Sequence, residues 1–223
     1  METSLHTYCL IIIVFLIYFS VSYLFNLLSV NNIEKALQIK KGLQFLNLRH
    51  SIGILLFGVT FLCLNPDSIK LLLTFIFINV QLVLLCIVIV LIAFYLSRVS
   101  VKKTIKKYTT VTNLYIGNGI VYFFLRSLFL LAYEFFFRGI LLFALIDLYG
   151  LVFAVIINTL LYVLIHAFDS KTEIIGAIPF GVVLCLMSYY SQSVLLAFII
   201  HLSLSLVYEV TLFNFFNSLK NKS

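Results

Sequence analysis

The sequence lacks tryptophan and is poor in the charged residues from which a soluble protein builds its surface. Of its 223 residues, 15 are Lys or Arg and 8 are Asp or Glu, so 10% are charged and 63% are hydrophobic. The mean hydropathy is +1.18. No stretch is long and polar enough for a soluble domain, and the composition therefore predicts a single transmembrane domain over residues 1–223.

Cysteine is scarce too, and its placement argues against two kinds of site. The four cysteines lie in apolar runs without Cys-x-x-Cys spacing: Cys9, Cys63, Cys86 and Cys185. This pattern indicates buried small hydrophobic side chains and not disulfides or a metal centre. The sequence also has no His-Glu-x-x-His, the spacing that places two zinc ligands on one helix.

Long apolar runs are what the chain has instead. A helix needs about 20 apolar residues to cross a bilayer, so we expect an all-α bundle of about seven transmembrane helices. The first run follows no Lys or Arg and has no small-residue cleavage site, and we interpret it as a span and not as a signal peptide. The second is short, and an earlier start near Leu43 would bring Arg49 and His50 to the membrane interface. The predicted spans are Thr7–Val30, Ser51–Asn65, Leu71–Ser97, Ile120–Leu148, Leu151–Phe168, Ile174–Tyr190 and Val194–Phe216.

Eleven of the 15 basic residues fall in three groups between or after these spans. The first group is Lys35, Lys40, Lys41 and Arg49; the second is Arg98, Lys102, Lys103, Lys106 and Lys107; the third is Lys220 and Lys222. Basic loops face the cytoplasm. We therefore expect the N-terminus outside and the C-terminus in the cytoplasm, in a plasma membrane that we expect to be bacterial. The same charges favour contact with anionic lipid over a nucleic acid partner.

Four ionisable side chains lie at membrane depth: Glu134, Arg138, His166 and His201. Placing such a charged side chain in hydrocarbon costs at least ~2.5 kcal/mol, so we interpret these residues first as functional. Glu134 and Arg138 are four residues apart and can form an ion pair on one helix face, which is also compatible with a structural clamp. Ser205 and Glu209 follow His201 at four-residue steps on the same face. The chemistry is thus concentrated in residues 114–217, and residues 1–113 are predicted to be scaffold helices.

Grouped in space, these side chains suit hydrolysis by water, with a carboxylate taking a proton and histidines orienting the water and stabilising an oxyanion. A divalent metal such as zinc held by His166, His201 and Glu134 is a second possibility, although a glutamate mechanism requires none. A proton-coupled transporter is a third, because intramembrane Glu and His also form relays. Against the transporter, the sequence shows no repeated halves and no paired broken helices.

Three motifs resemble those of the CPBP family of intramembrane proteases, which includes CAAX prenyl proteases and bacteriocin-processing enzymes. The family pattern is Glu-Glu-x-x-x-Arg, Phe-x-x-x-His and His-x-x-x-Asn on successive membrane helices. The corresponding segments here are Tyr133–Gly139, Tyr162–His166 and His201–Ser205. The resemblance implies a membrane endopeptidase of a peptide or membrane-protein substrate. In it His166 orients water, His201 and Ser205 hold the oxyanion, and Arg138 positions the carboxylate.

The chain departs from the family pattern at its first position. Tyr133 replaces the glutamate that activates water in the family, and a tyrosine is not a carboxylate base. Glu134 matches the second glutamate, and Glu173, seven residues after His166, is a candidate replacement for the first. The alternative is a non-catalytic member that acts as a membrane binding or bacteriocin immunity protein. We expect an endopeptidase with Glu134 or Glu173 as its base, and the sequence leaves its metal dependence open.

Overall fold

The computed structural model describes residues 5–64, 66–73, 80–108 and 114–221, and within these ranges it contains helices and no strand. The predicted all-α membrane bundle is confirmed. The α-helices are α1 (Leu5–Leu27), α2 (Ile33–Ala36), α3 (Gly42–Gly53), α4 (Thr60–Leu64), α5 (Lys70–Leu73), α6 (Val80–Ile105), α7 (Gly119–Glu134), α8 (Leu142–Ile165), α9 (Lys171–Ser191) and α10 (Leu195–Lys220). Two π-helical segments, Ile54–Val59 and Phe135–Leu141, join α3 to α4 and α7 to α8. Two 3₁₀ turns, Pro66–Ile69 and His166–Phe168, precede α5 and follow α8.

Six continuous helical stretches in the described residues are long and apolar enough to cross a membrane: Leu5–Leu27, Gly42–Leu64, Val80–Ile105, Gly119–Phe168, Lys171–Ser191 and Leu195–Lys220. The fourth is 50 residues long and breaks at Gly150, where φ is 76° and ψ is 170°. Its two arms fold back on each other, since the Asn158 side-chain amide donates a hydrogen bond to the Phe137 carbonyl at 2.6 Å. With its two arms counted separately, the described residues hold seven apolar segments, and the break lies next to the gap between the predicted spans Ile120–Leu148 and Leu151–Phe168.

Two predicted boundaries differ from the structure. The second span begins at Gly42 and not at Ser51, which agrees with the alternative start near Leu43, so Arg49 lies inside α3 and not in a loop. The helix tolerates this charge because the Arg49 guanidinium donates to the Asn31 carbonyl at 2.6 Å and approaches the Ser22 hydroxyl at 3.3 Å. The described part of the third span is α6, Val80–Ile105, and this helix extends beyond the predicted end at Ser97. Residues 74–79 of that prediction, and Lys222 of the third basic group, lie outside the described residues.

The N-terminal helices form one wall of a core that they share with the motif-bearing helices. Phe57, in the first π-helical segment, stacks on Phe136 with ring centroids 4.5 Å apart and contacts Tyr133 edge-on at 5.7 Å. Tyr18 of α1 packs on Phe129 of α7 at 5.8 Å. The predicted scaffold therefore contributes aromatic surface directly behind the motif residues, where it excludes water.

The loop between α1 and α3 is tied to the end of α6 and to α10 by a polar contact at the predicted cytoplasmic end. The Tyr108 hydroxyl donates to a Glu34 carboxylate oxygen at 2.6 Å, and Tyr208 approaches the other oxygen at 3.4 Å. Burial, and to a smaller extent the hydrogen bond to Glu34, raises the pKa of Tyr108 to about 12. The phenol thus keeps its proton and remains a donor at physiological pH.

Candidate active site

The first motif lies where α7 changes from α-helical to π-helical geometry. Glu134 ends α7, and the π-helical segment that follows carries Arg138. Single π-helical turns occur often at functional sites because they redirect side chains within a helix. Both side chains are fully buried, and Arg138 Nε lies 3.3 Å from a Glu134 carboxylate oxygen. The predicted ion pair is therefore present, and each charge compensates the other.

The third motif meets the first across the interface of α7 and α10. His201 Nδ1 lies 2.5 Å from the second Glu134 carboxylate oxygen. The two helices run antiparallel, since Glu134 at the end of α7 meets His201 while Tyr122 near its start meets Glu209. A carboxylate at Nδ1 orients the imidazole and leaves Nε2 as its second functional atom.

The Arg138 guanidinium is held by aromatic rings more than by hydrogen bonds. It lies 4.2 Å from the centroid of the Tyr162 ring and 5.6 Å from that of Phe137. Among the described residues, none of its three nitrogens has a hydrogen-bond partner of good geometry. Cation–π contact in a desolvated site is worth about 2 kcal/mol, so Tyr162 of the second motif helps to hold the charge beside Glu134.

Tyr133 occupies an aromatic environment at the position of the missing family glutamate. Its ring contacts those of Phe129, Phe137, Tyr162 and His201, with centroids 4.6 to 6.0 Å away. The side chain is 3% exposed, and its hydroxyl has no hydrogen-bond partner in the described part of the chain. Tyr133 thus fills space between the motif helices without a polar contact.

We expect Tyr133→Phe to change the free energy of unfolding by less than ~1 kcal/mol, because the hydroxyl that it removes makes no hydrogen bond. The matched contrast is Tyr122→Phe on the same helix. That substitution removes a 2.8 Å hydrogen bond to the Glu209 carboxylate, which is worth about 1.5–3 kcal/mol. Unfolding can be followed with a thiol-reactive dye, since Cys86 and Cys185 are buried in the folded chain. Equal losses in both variants would show that the Tyr133 hydroxyl has a partner.

His166 lies at the end of α8, on the 3₁₀ turn, with its ring edge-on to Tyr162 at 4.8 Å. Its Nδ1 lies 2.8 Å from an Asp169 carboxylate oxygen, and its buried Nε2 has no partner among the described residues. The Tyr162 ring also lies 6.4 Å from His201, so one side chain separates the two histidines. Asp169 was not predicted as a site residue; its signal in the sequence was a His-x-x-Asp spacing across a helix end, where a turn brings both side chains together.

Glu173 and Ser205 make contacts other than those expected of catalytic groups. Glu173 is exposed in the first turn of α9, where it forms a capping box with Ser170: each side chain accepts a hydrogen bond from the other's backbone N–H, at 3.2 and 3.3 Å. The Ser205 hydroxyl lies 3.4 Å from Arg126 Nη2. The structure thus brings Glu134, Arg138 and His201 together, with His166 adjoining through Tyr162.

A second buried ion pair lies on the same α7–α10 interface, and the sequence analysis did not anticipate it. Arg126 Nη2 and Nε lie 2.9 and 3.0 Å from one Glu209 oxygen, and Tyr122 donates to the other. Arg126 precedes Glu134 by two turns, or about 12 Å along a helix. The two four-residue steps from His201 through Ser205 to Glu209 were its visible signal, but the partner of Glu209 lies on another helix.

The predicted metal ligands do not form a ligand set. In the described ranges no three His, Cys, Asp or Glu side chains are grouped closely enough to hold a metal ion. His166 and His201 instead each contact a different carboxylate, Asp169 and Glu134. Metal dependence is therefore a matter for direct measurement.

Comparison with known proteins finds one similarity. A family model for the type II CAAX prenyl endopeptidase Rce1-like proteins matches residues 117–207, less than half of the chain. The matched segment contains all three motifs, from Tyr133 to Ser205. No curated protein and no solved structure matches the chain.

Proposed function

We propose, from the match of residues 117–207 to the family model of Rce1-like type II CAAX prenyl endopeptidases, that the protein is a membrane-embedded endopeptidase that hydrolyses a peptide bond with activated water. The observation that carries the proposal is the pair of histidines on either side of the Tyr162 ring. Each is bound at Nδ1 by a carboxylate, and the Nε2 of His166 is unpartnered among the described residues.

In the proposed reaction His166 acts as the general base. Its Nε2 accepts a proton from water while the water oxygen attacks the carbonyl carbon of the peptide, and the carbonyl oxygen becomes an oxyanion. His166 then returns the proton to the leaving amine as the C–N bond breaks. Among the described residues, no group forms a hydrogen bond with His166 Nε2, so this nitrogen is free to accept the proton.

His201 is proposed to stabilise the oxyanion. The Glu134 carboxylate beside Nδ1 offsets the positive charge of a protonated His201, whose Nε2–H can then donate to the developing charge. Arg138 offsets the charge of Glu134 and holds it in place. Because both Glu134 oxygens face His201 and Arg138, the contacts support a role for Glu134 behind His201 more than the predicted role as base.

The proposed substrate is a peptide or membrane protein with a prenylated C-terminus, as the family description names it. The apolar helices establish an integral membrane protein. We propose the predicted orientation, with the C-terminus in the cytoplasm of a bacterial cell and the basic groups against anionic lipid. The site then opens toward the cytoplasmic end, where α8 ends at His166.

The test is cleavage of a panel of fluorogenic prenylated and unprenylated peptides by the detergent-purified protein, with and without a chelator. We expect wild type to cleave and His166→Ala to lose ~10² or more in rate. Asp147→Asn, an exposed change at the opposite hairpin end, is the folding control. Loss of wild-type activity with chelator, restored by zinc, would establish a metalloendopeptidase. Equal cleavage by His166→Ala and wild type would refute the proposed mechanism.

Tyr133 favours a second function, that of a non-catalytic family member that binds a peptide and confers bacteriocin immunity. Its buried aromatic side chain fills the place of the family's catalytic carboxylate. This alternative expects no cleavage by wild type, together with a cellular immunity phenotype that His166→Ala leaves intact. An endopeptidase expects the phenotype and the cleavage to be lost together.

A further inference from the structure

We propose that Asp169 is the positioning residue for His166, and that it supplies from the neighbouring turn the carboxylate that position 133 lacks. The inference rests on the proposed endopeptidase function and deepens it. Asp169 does not touch the substrate in this scheme; it acts through the imidazole.

The contact between the two side chains is short and local. His166 Nδ1 and the Asp169 carboxylate oxygen are 2.8 Å apart, and the side chains are 24% and 18% exposed. The backbone N–H of Asp169 also donates to the His166 carbonyl at 2.9 Å, which closes the turn. A carboxylate at Nδ1 selects the neutral tautomer with its proton on Nδ1, so that Nε2 carries the lone pair that a base needs.

The turn that holds this pair is fixed from outside the family-matched segment. The Asn31 side-chain amide donates to the Phe168 carbonyl at 2.8 Å, and Arg49 donates to the Asn31 carbonyl at 2.6 Å. The Phe168 ring packs on Phe19 and Tyr23 of α1, at 5.2 and 5.5 Å. The N-terminal half therefore contributes to the proposed site by holding the His166–Asp169 turn against α1.

On the other side of the turn, the Ser170–Glu173 capping box starts α9 immediately after Asp169. Glu173 uses its carboxylate in that cap, at 3.2 Å from the Ser170 backbone N–H. Of the two carboxylates close to His166 in sequence, it is Asp169 that is in hydrogen-bond contact with the imidazole. A carboxylate near His166 was predicted to replace the glutamate missing at Tyr133. Such a carboxylate is present, but it belongs to Asp169 and not to Glu173.

The kinetic test compares Asp169→Asn, Asp169→Glu and the matched control Asp147→Asn on a peptide that wild type cleaves. We expect Asp169→Asn to lower kcat by ~10² with KM changed by about twofold or less, since the amide keeps the shape but not the charge that orients the base. Asp169→Glu should restore part of the rate, and Asp147→Asn should match wild type. Wild-type kcat in Asp169→Asn, or an equal loss in Asp147→Asn, would overturn the inference. A loss confined to Glu173→Gln would assign the role to Glu173 and also overturn it.

A spectroscopic test does not require turnover. In protein labelled with ¹⁵N-histidine, His166→Ala identifies the His166 signals. We expect wild type to show a protonated Nδ1 and a bare Nε2, and Asp169→Asn to shift His166 toward the other tautomer. Unchanged His166 signals in Asp169→Asn would overturn the inference regardless of cleavage. Failure of wild type to cleave any peptide would overturn the proposed function as well, whereas cleavage that Asp169→Asn retains would overturn this inference alone.

Discussion

We expect Glu134→Gln to destabilise the protein by about 3–5 kcal/mol and to abolish cleavage, because it removes the charge that compensates a fully buried arginine. Glu134 and Arg138 are both 0% exposed, and their ion contact is 3.3 Å long. The same substitution weakens the 2.5 Å contact with His201. Loss of the charge that orients a general base or an oxyanion-stabilising group lowers the rate by ~10²-fold or more.

A double variant separates these two effects. Glu134→Leu combined with Arg138→Met removes both buried charges, and such replacements are often neutral or stabilising. We expect the double variant to recover most of the wild-type thermal stability, measured by thiol exposure, but to remain without cleavage activity. If it cleaves at the wild-type rate, Glu134 is a structural clamp. If Glu134→Gln alone is as stable as wild type, the guanidinium has another partner.

The second large effect is expected at Arg126. Arg126→Met leaves the Glu209 carboxylate, whose side chain is 11% exposed, without its 2.9 Å partner. Loss of one partner from a buried ion pair costs about 3–5 kcal/mol. Because this pair lies about 12 Å from Glu134 along α7, we expect the folded fraction of the variant to cleave at a rate close to that of wild type.

A double-mutant cycle with Glu209→Leu tests whether the loss belongs to the pair. We expect Arg126→Met and Glu209→Leu to be less than additive in the free energy of unfolding, with a coupling energy above ~1 kcal/mol. Additive losses would mean that each residue acts through separate contacts. A fall in kcat with normal stability would instead place Arg126, through its 3.4 Å approach to Ser205, in the reaction.

Local spacing predicted the contacts that form within one helix or one turn. The four-residue step from Glu134 to Arg138 predicted their ion pair. The gap between the predicted spans Ile120–Leu148 and Leu151–Phe168 lies at the hairpin that Gly150 makes with its positive φ.

Contacts between helices were predicted less well. Glu173 has the right distance in sequence to replace the carboxylate missing at Tyr133, but the helix cap at Ser170 engages it. Asp169, four residues earlier, contacts the imidazole because the chain tightens into a 3₁₀ turn after α8. The predicted end of the fifth span at Phe168 is the observed end of the helical stretch. Spacing did not indicate that its last three residues form a 3₁₀ turn, and this turn decides which carboxylate faces His166.

The sequence by itself determined that this protein is an all-helical membrane bundle with its ionisable residues gathered in the later helices. That follows because backbone N–H and C=O groups in hydrocarbon can form hydrogen bonds only with each other, and because each buried charge must be compensated. Only the tertiary structure decided which carboxylate serves which histidine. The antiparallel register of α7 against α10 brings Glu134 to His201, and the turn after α8 brings Asp169 to His166. Such pairings depend on ångström-scale placement of neighbouring helices, which hydrophobic patterning does not encode.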